Sequence, residues 1–358
     1  MKVLHVFPKS DSLIERHVSI LTEGMRQSAE VRTADSASAF RRLFREMEPD
    51  IVHCHGCWLY FLARAAAYAN NHDARVVITP HGQLEPWVIK RQSLQENVSK
   101  TLLWQKSTVE RAYAVILLGK LERSNFEKLG WNPRMEEIHN AVITNAITPD
   151  EMCARTFAVY QKVQDSNTLE QMDDDSLHAL TLIIKAGIMG DRRWITDNNI
   201  DEKSVDWRRL LIYSEHENIR NYVDYGINIL NLSTPPIDTT KIASYYPNNY
   251  VRPRTLKEII GDYQGDETDY LVRIIRQTSK QPLLLHLIEL TRELYRDTVN
   301  DERLSESLEE KSLLTYTQRL MQVLGEQTLL DEGYMPVAPK DDRQTEQIRK
   351  LLTNHLKI

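Results

Sequence analysis

Cysteine is scarce in this chain. Cys54, Cys57 and Cys153 are the three among 358 residues, too few for a disulfide framework. No apolar run is long enough to be read as a transmembrane helix. The N-terminal MKVLHVFPKS has too short an apolar core for a signal peptide, is stopped by Pro8, and reads as a strand. These absences lead us to expect a reduced cytoplasmic setting, with peripheral attachment at the inner membrane face left open. A basic excess is missing too. Residues 1–150 hold 19 Lys/Arg against 17 Asp/Glu, a net of +2, and the remainder holds 26 against 34, a net of −8, which together give the overall −6. No basic stripe of the kind that tracks nucleic acid is present, so no nucleic-acid partner is expected. Glycine is sparse, and seven of the 12 glycines fall after residue 150. Gly187-Ile188-Met189-Gly190 follows a helical stretch and lacks the Gly-Lys-Ser/Thr of a phosphate loop.

A hydrophobic content of 41% and a charged content of 27% are ordinary for a globular protein, and the length suits about two domains. The first part of the chain alternates. Short β-branched or apolar runs at 2–7, 30–33, 50–54, 75–79, 114–118 and 135–138 read as strands. Helical patterns at 14–27, 37–47, 59–70, 97–112 and 121–129 lie between them, and 80–96 reads as a long loop. This predicts an α/β domain, a Rossmann-like doubly wound parallel sheet over residues 1–147. Thr148-Pro149-Asp150-Glu151 is a capping box with Pro at the first helical position, which launches a connecting helix over 148–165. From 166 to 358 the alternation is gone. Segments such as 176–188, 206–230, 281–298 and 302–325 have helical periodicity, so a mostly α-helical second domain is expected. Asp173-Asp174-Asp175 precedes one of these patterns and reads as helix-start charge rather than a metal motif.

In open α/β sheets, ligands bind beyond the carboxyl ends of the strands. Four segments collect there: Pro8–His17, His53–Trp58, Pro80–Trp87 and Gly119–Arg123. The first half also holds seven of the 11 histidines. The clearest candidate is VVITPHGQLEPW, Val76–Trp87: a doubly buried strand stopped by Pro80, then His81 and Gly82. His53, His55 and Cys57 alternate and would share one face of an extended segment. With Cys54 they suggest zinc, but no second ligand pair follows at finger spacing, so no metal and no cofactor are expected.

The motifs DIVHCHGCW (50–58), TPHGQLEPWVIK (79–90), AVILLGKLERSNFEKLG (114–130) and EEIHNAV (136–142), with IERHV (14–18), occur in an order that resembles the N-terminal domain of family 4 glycosyltransferases. The resemblance covers about residues 1–147. It implies a GT-B arrangement of two Rossmann-like domains around a cleft, with retaining, metal-independent transfer from a nucleotide-sugar donor. By the same resemblance His81 is the catalytic-site histidine, placed to stabilise charge as the glycosidic bond breaks. Glu15, Arg16, His17, His55, Gly56, Gly82, Lys90 and Glu122 are then substrate-binding candidates, Lys90 and Arg91 toward an anionic acceptor. Two departures stand out. The loop before the first helix, Lys9–Leu13, has no glycine, and the second half lacks the Gly-rich turn, basic pair and Glu-containing loop of a donor domain. The expected function is therefore a glycosyltransferase-like protein of surface polysaccharide biosynthesis that moves a sugar to a glycan or lipid-linked acceptor. The alternative is a non-catalytic relative that binds a glycan intermediate, or a protein partner through its helical half. A metal hydrolase built on HCHGC is the least favoured reading.

Overall fold

The structure is a computed structural model; it describes all residues except 96–97, 169–171, 196–199, 248–249, 297–299, 355 and 357–358, and not the side chains of 92–102 and 354. The chain divides into two compact units. One comprises Met1–Ser166 with Ala243–Asn248 (and Ile358), the other Asn167–Ile242 with Asn249–Lys357.

The first unit is built on six parallel strands: β1 (Lys2–Val6), β2 (Glu30–Ala34), β3 (Ile51–His55), β4 (Arg75–Thr79), β5 (Ala114–Leu117) and β6 (Met135–Glu137), in the order β2-β1-β3-β4-β5-β6. The doubly wound sheet expected from the alternation is present. β3, β4 and β5 are buried along their whole length, which is why they read as apolar runs without a polar face. The chain leaves β1 toward β2 on one side and continues through β3 on the other. The switch point therefore lies between β1 and β3, where such sheets bind ligands.

Side chains alternate between two cores. Leu4, Val6, Val52, Val76, Ile78 and Val115 pack with α2 (Ala37–Met47) and α3 (Tyr60–Asn70). Val3, Ile51, Val77 and Ile116 pack with α1 (Ser12–Gly24) and α7 (Pro149–Gln164) on the other face. α7 begins on the expected cap, with Thr148 Oγ1 accepting from Glu151 N. It lies close to α1 because Gly24 has no side chain: a Cβ there would run into Cys153 Sγ. Tyr245 returns to this unit, its hydroxyl donating to Glu136 Oε1 at 2.6 Å and its ring under Lys162.

The long loop expected over 80–96 is incorrect. A helix, α4 (Pro86–Gln95), starts immediately after Glu85, with Pro86 in its first turn, where a missing N–H costs nothing. α5 (Val98–Glu110) follows, and the expected start at Asn97 lies outside the described residues. α6 (Lys120–Leu129) is closed by Gly130 in the left-handed conformation.

The second unit is helical, with no strand among its described residues: α8 (Asp174–Met189), α9 (Trp207–His216), α10 (Arg220–Leu230), α11 (Leu256–Ile260), α12 (Glu267–Lys280), α13 (Leu284–Leu294), α14 (Asp301–Glu310), α15 (Leu314–Gln327) and α16 (Arg343–Asn354). Asp173 caps α8, accepting from Ser176 N at 2.7 Å. Two of the long periodic segments are broken: 206–230 at Asn218 and 302–325 at Ser312, each a residue with positive φ. α13 is buried except at Arg292, contributing Leu284, Leu285 and Ile288 to one core and Leu287, Leu290 and Leu294 to another. α8 and α10 meet at Gly187 and Gly226, where a Cβ would strike the carbonyl oxygens of Tyr222 and Ile183.

Candidate functional site

The site forms where β1, β3, β4 and β5 end. The parallel register sets His5 beside His53, and His55 beside Thr79. β4 then turns sharply. His81 has φ 54° and Gly82 φ 75°, two consecutive left-handed residues that let the chain reverse and enter α4. His tolerates this region better than most residues, at a cost of about 1 kcal/mol or more. The turn is held by the Glu122 carboxylate, which accepts Gly82 N at 2.6 Å and Leu118 N at 2.6 Å. Burial raises the Glu122 pKa and the neighbouring Glu85 adds to this, while the two amide bonds oppose it. Trp58 Nε1 donates to Gln83 O at 2.6 Å and fastens the other side of the turn.

Five histidines meet here. His55 Nε2 lies 2.8 Å from His5 Nδ1, and His55 Nδ1 lies 3.2 Å from His81 Nε2. The His17 ring meets that of His81 edge-on at 5.0 Å. His53 is saturated, with Tyr160 OH at 2.6 Å on Nδ1 and Thr79 Oγ1 at 2.8 Å on Nε2. One tautomer is determined. Asn140 Oδ1 accepts from Val142 N at 3.0 Å, which fixes it as the oxygen, so the His17 Nδ1 lying 3.1 Å from it carries the proton. The His17 Nε2 then bears a lone pair.

Burial sets the charge of the group. The His5 pKa is lowered to about 3, first by desolvation and then by His17. Desolvation also leads in holding His53, His55 and His81 well below the usual histidine range, with the neighbouring imidazoles adding to it. The rings are neutral near pH 7, each with one donor and one acceptor nitrogen.

Beside them opens a cleft of about 340 Å³, with His81, Gly82, Glu85, Glu122, Asn140 and Asp11 in its wall. None of its described lining residues is Lys or Arg. The His81 imidazole, an amide and carboxylates suit a ligand rich in hydroxyl groups better than a bare phosphate.

Of the residues singled out from sequence, His17, His55, His81, Gly82 and Glu122 converge at this point. Gly56, with φ 98°, turns the chain out of β3 against Gln83 and does not line the cleft. Glu15 and Arg16 are exposed on α1, and Lys90 is exposed on α4; none of the three lines it. Cys54 and Cys57 are buried thiols with pKa values raised by desolvation, and neither joins the histidine group as a ligand. His5, Asn140 and Glu85 were not picked out from sequence, and His53 was weighed there only as a metal candidate with Cys54, His55 and Cys57. His5 and His53 needed the strand register, and Asn140 sits in the quoted EEIHNAV motif without having been assigned a role.

Residues 7–146 match the family model described as Glycosyltransferase Family 4, a span of 146 − 7 + 1 = 140 of the 358 residues. The match contains every residue named in the cleft wall. Among curated proteins, nothing matches the chain. No helix among the described residues is long and apolar enough to cross a membrane.

Proposed function

We propose that the first unit is the acceptor-binding half of a glycosyltransferase, taking a sugar or glycan in the cleft beside His81. The observation that carries this reading is the placement of His81, His17 and Asn140 at the carboxyl ends of a doubly wound sheet, inside the stretch that matches the family model. In such a cleft, sugar hydroxyls find donors and acceptors that are desolvated and preorganised. A neutral imidazole at His81 donates to, or accepts from, an oxygen whose charge changes as a glycosidic bond breaks. Glu122 acts through the backbone: it holds the turn that carries His81 rather than touching ligand first.

The donor in this reading is a nucleotide-sugar and the acceptor a glycan or lipid-linked sugar of surface polysaccharide biosynthesis. His81 is the catalytic candidate, and His17, His55, Gly82 and Glu122 build the acceptor side. Calorimetry with a panel of UDP-, GDP- and TDP-sugars and of short glycans tests it. The reading expects glycan binding that weakens in His81→Ala, and it fails if neither class of ligand binds.

One observation favours a second reading, a non-catalytic relative. Among its described residues the second unit has no strand, so it is not the second Rossmann-like domain of a GT-B enzyme. A chain that binds glycans but no nucleotide-sugar in the same panel supports this reading and assigns the helical unit to a protein partner.

A further inference from the structure

We propose that His17, His55 and His81 form a binding site for one divalent transition metal of the zinc class, with an open coordination position facing the cleft. One ring nitrogen from each of the three lies within 4.8 Å of the others. His55 Nδ1 and His81 Nε2 are 3.2 Å apart. Two nitrogens each about 2.0–2.1 Å from a tetrahedral zinc stand roughly 3.4 Å apart, so this pair already has nearly the spacing of adjacent ligands.

The surrounding hydrogen bonds orient the rings for this purpose. Asn140 takes the Nδ1 proton of His17 and leaves its Nε2 lone pair, for which no hydrogen-bond partner exists among the described residues. The His17 ring itself is almost wholly buried, at 3% exposure. His5 Nδ1 stands 2.8 Å from His55 Nε2; in the tautomer with the proton on His55 Nε2, His55 Nδ1 is free for a metal and His5 carries its own proton on Nε2. Ligating histidines commonly have a partner on the second nitrogen that fixes tautomer and ring direction.

The other group of three nearby histidines, His5, His53 and His55, does not qualify. Both nitrogens of His53 are occupied, by Tyr160 and Thr79. A metal on either nitrogen would break one of these buried hydrogen bonds.

Three neutral imidazoles leave the ion its full double charge and at least one open position, as in catalytic rather than structural zinc sites. The group borders the cleft through His81, and the described wall of the cleft contains carboxylates and no Lys or Arg. A dication would therefore give the cleft its positive centre, able to hold a hydroxyl or an anionic oxygen. From sequence no metal was expected, because no second ligand pair follows the HCHGC motif at finger spacing; His17 and His81 join His55 only in the fold.

This inference does not rest on the sugar-transfer reading, since metal binding is measured without any sugar. The full-length chain is stripped with chelator, dialysed against zinc, and analysed for metal content. Cobalt(II) titration then reports the ligand field through its visible spectrum. The expected results are one metal per chain, a tetrahedral or five-coordinate cobalt spectrum, and loss of both in His81→Ala and His17→Gln. Asn140→Ala should weaken affinity by about 10- to 100-fold, and His72→Ala, in the exposed turn after α3, should leave it unchanged. Circular dichroism checks that the variants fold. The wild-type metal content decides the matter independently of them. A wild-type chain that retains no stoichiometric zinc overturns the proposal, and so does full retention by folded His81→Ala and His17→Gln.

Discussion

The carboxylate of Glu122 accepts the backbone N–H of Gly82 at 2.6 Å, across 40 residues of chain. Its second oxygen accepts Leu118 N at 2.6 Å, so one side chain ties the ends of β4 and β5 together. The left-handed conformation of His81 is maintained against its own preference by this tie and by Trp58 on the other side.

Replacing Glu122 by Gln should therefore cost stability. The amide keeps one acceptor oxygen but sets an NH2 group against a backbone N–H, leaving a buried donor without a partner. A loss of about 1–3 kcal/mol in urea denaturation is expected. An unchanged midpoint would mean that the two amides find other partners and that the turn does not depend on Glu122.

The helical unit should be sensitive at Gly226. A Cβ there overlaps the carbonyl oxygen of Ile183, so α8 and α10 must separate to admit it. Gly226→Ala should destabilise by about 2–4 kcal/mol, even though alanine favours helices more than glycine does. A thermal or urea transition equal to wild type would show that the crossing is loose.

Stability should fall on mild acidification through His216. Burial lowers its pKa from 6.5 to about 4. Between those values the unfolded chain binds a proton that the folded chain does not. Its contribution is thus complete above the unfolded pKa, falls as pH drops through the window, and levels off below the folded pKa. From pH 7.5 to 5 this amounts to about 2 kcal/mol. Urea curves at both pH values should show a wild-type loss larger than that of His216→Gln by about this amount. Equal losses in the two proteins would mean that His216 titrates normally.

Much of the first unit was legible because its signals are local. β4 and α2 fall on their expected residues, since an uninterrupted β-branched run and a strong apolar stripe each specify one solution. α4 was not legible: Pro86 and Trp87 interrupt the pattern, and its apolar stripe is weak. The breaks at Asn218 and Ser312 were missed because periodicity runs through them, while the backbone reverses at a single left-handed residue. His81 could be selected because it stands just past the end of β4, and His55 because it lies in the DIVHCHGCW motif at the end of β3. Their meeting with His5 and His17 could not, because it depends on lateral register and on the angle at which α1 leaves β1. The partnership of His53 with Tyr160, 107 residues away, depends in the same way on how α7 packs.

The most direct test of the account is sugar transfer by the purified chain. A panel of radiolabelled nucleotide-sugars is offered with short glycan and lipid-linked acceptors, and the product is separated and counted. The account predicts transfer with at least one pair, reduced by about 100-fold or more in His81→Ala, with glycan binding weakened in the same variant. Transfer at the wild-type rate by folded His81→Ala would contradict it, as would a chain that binds neither glycan nor nucleotide-sugar.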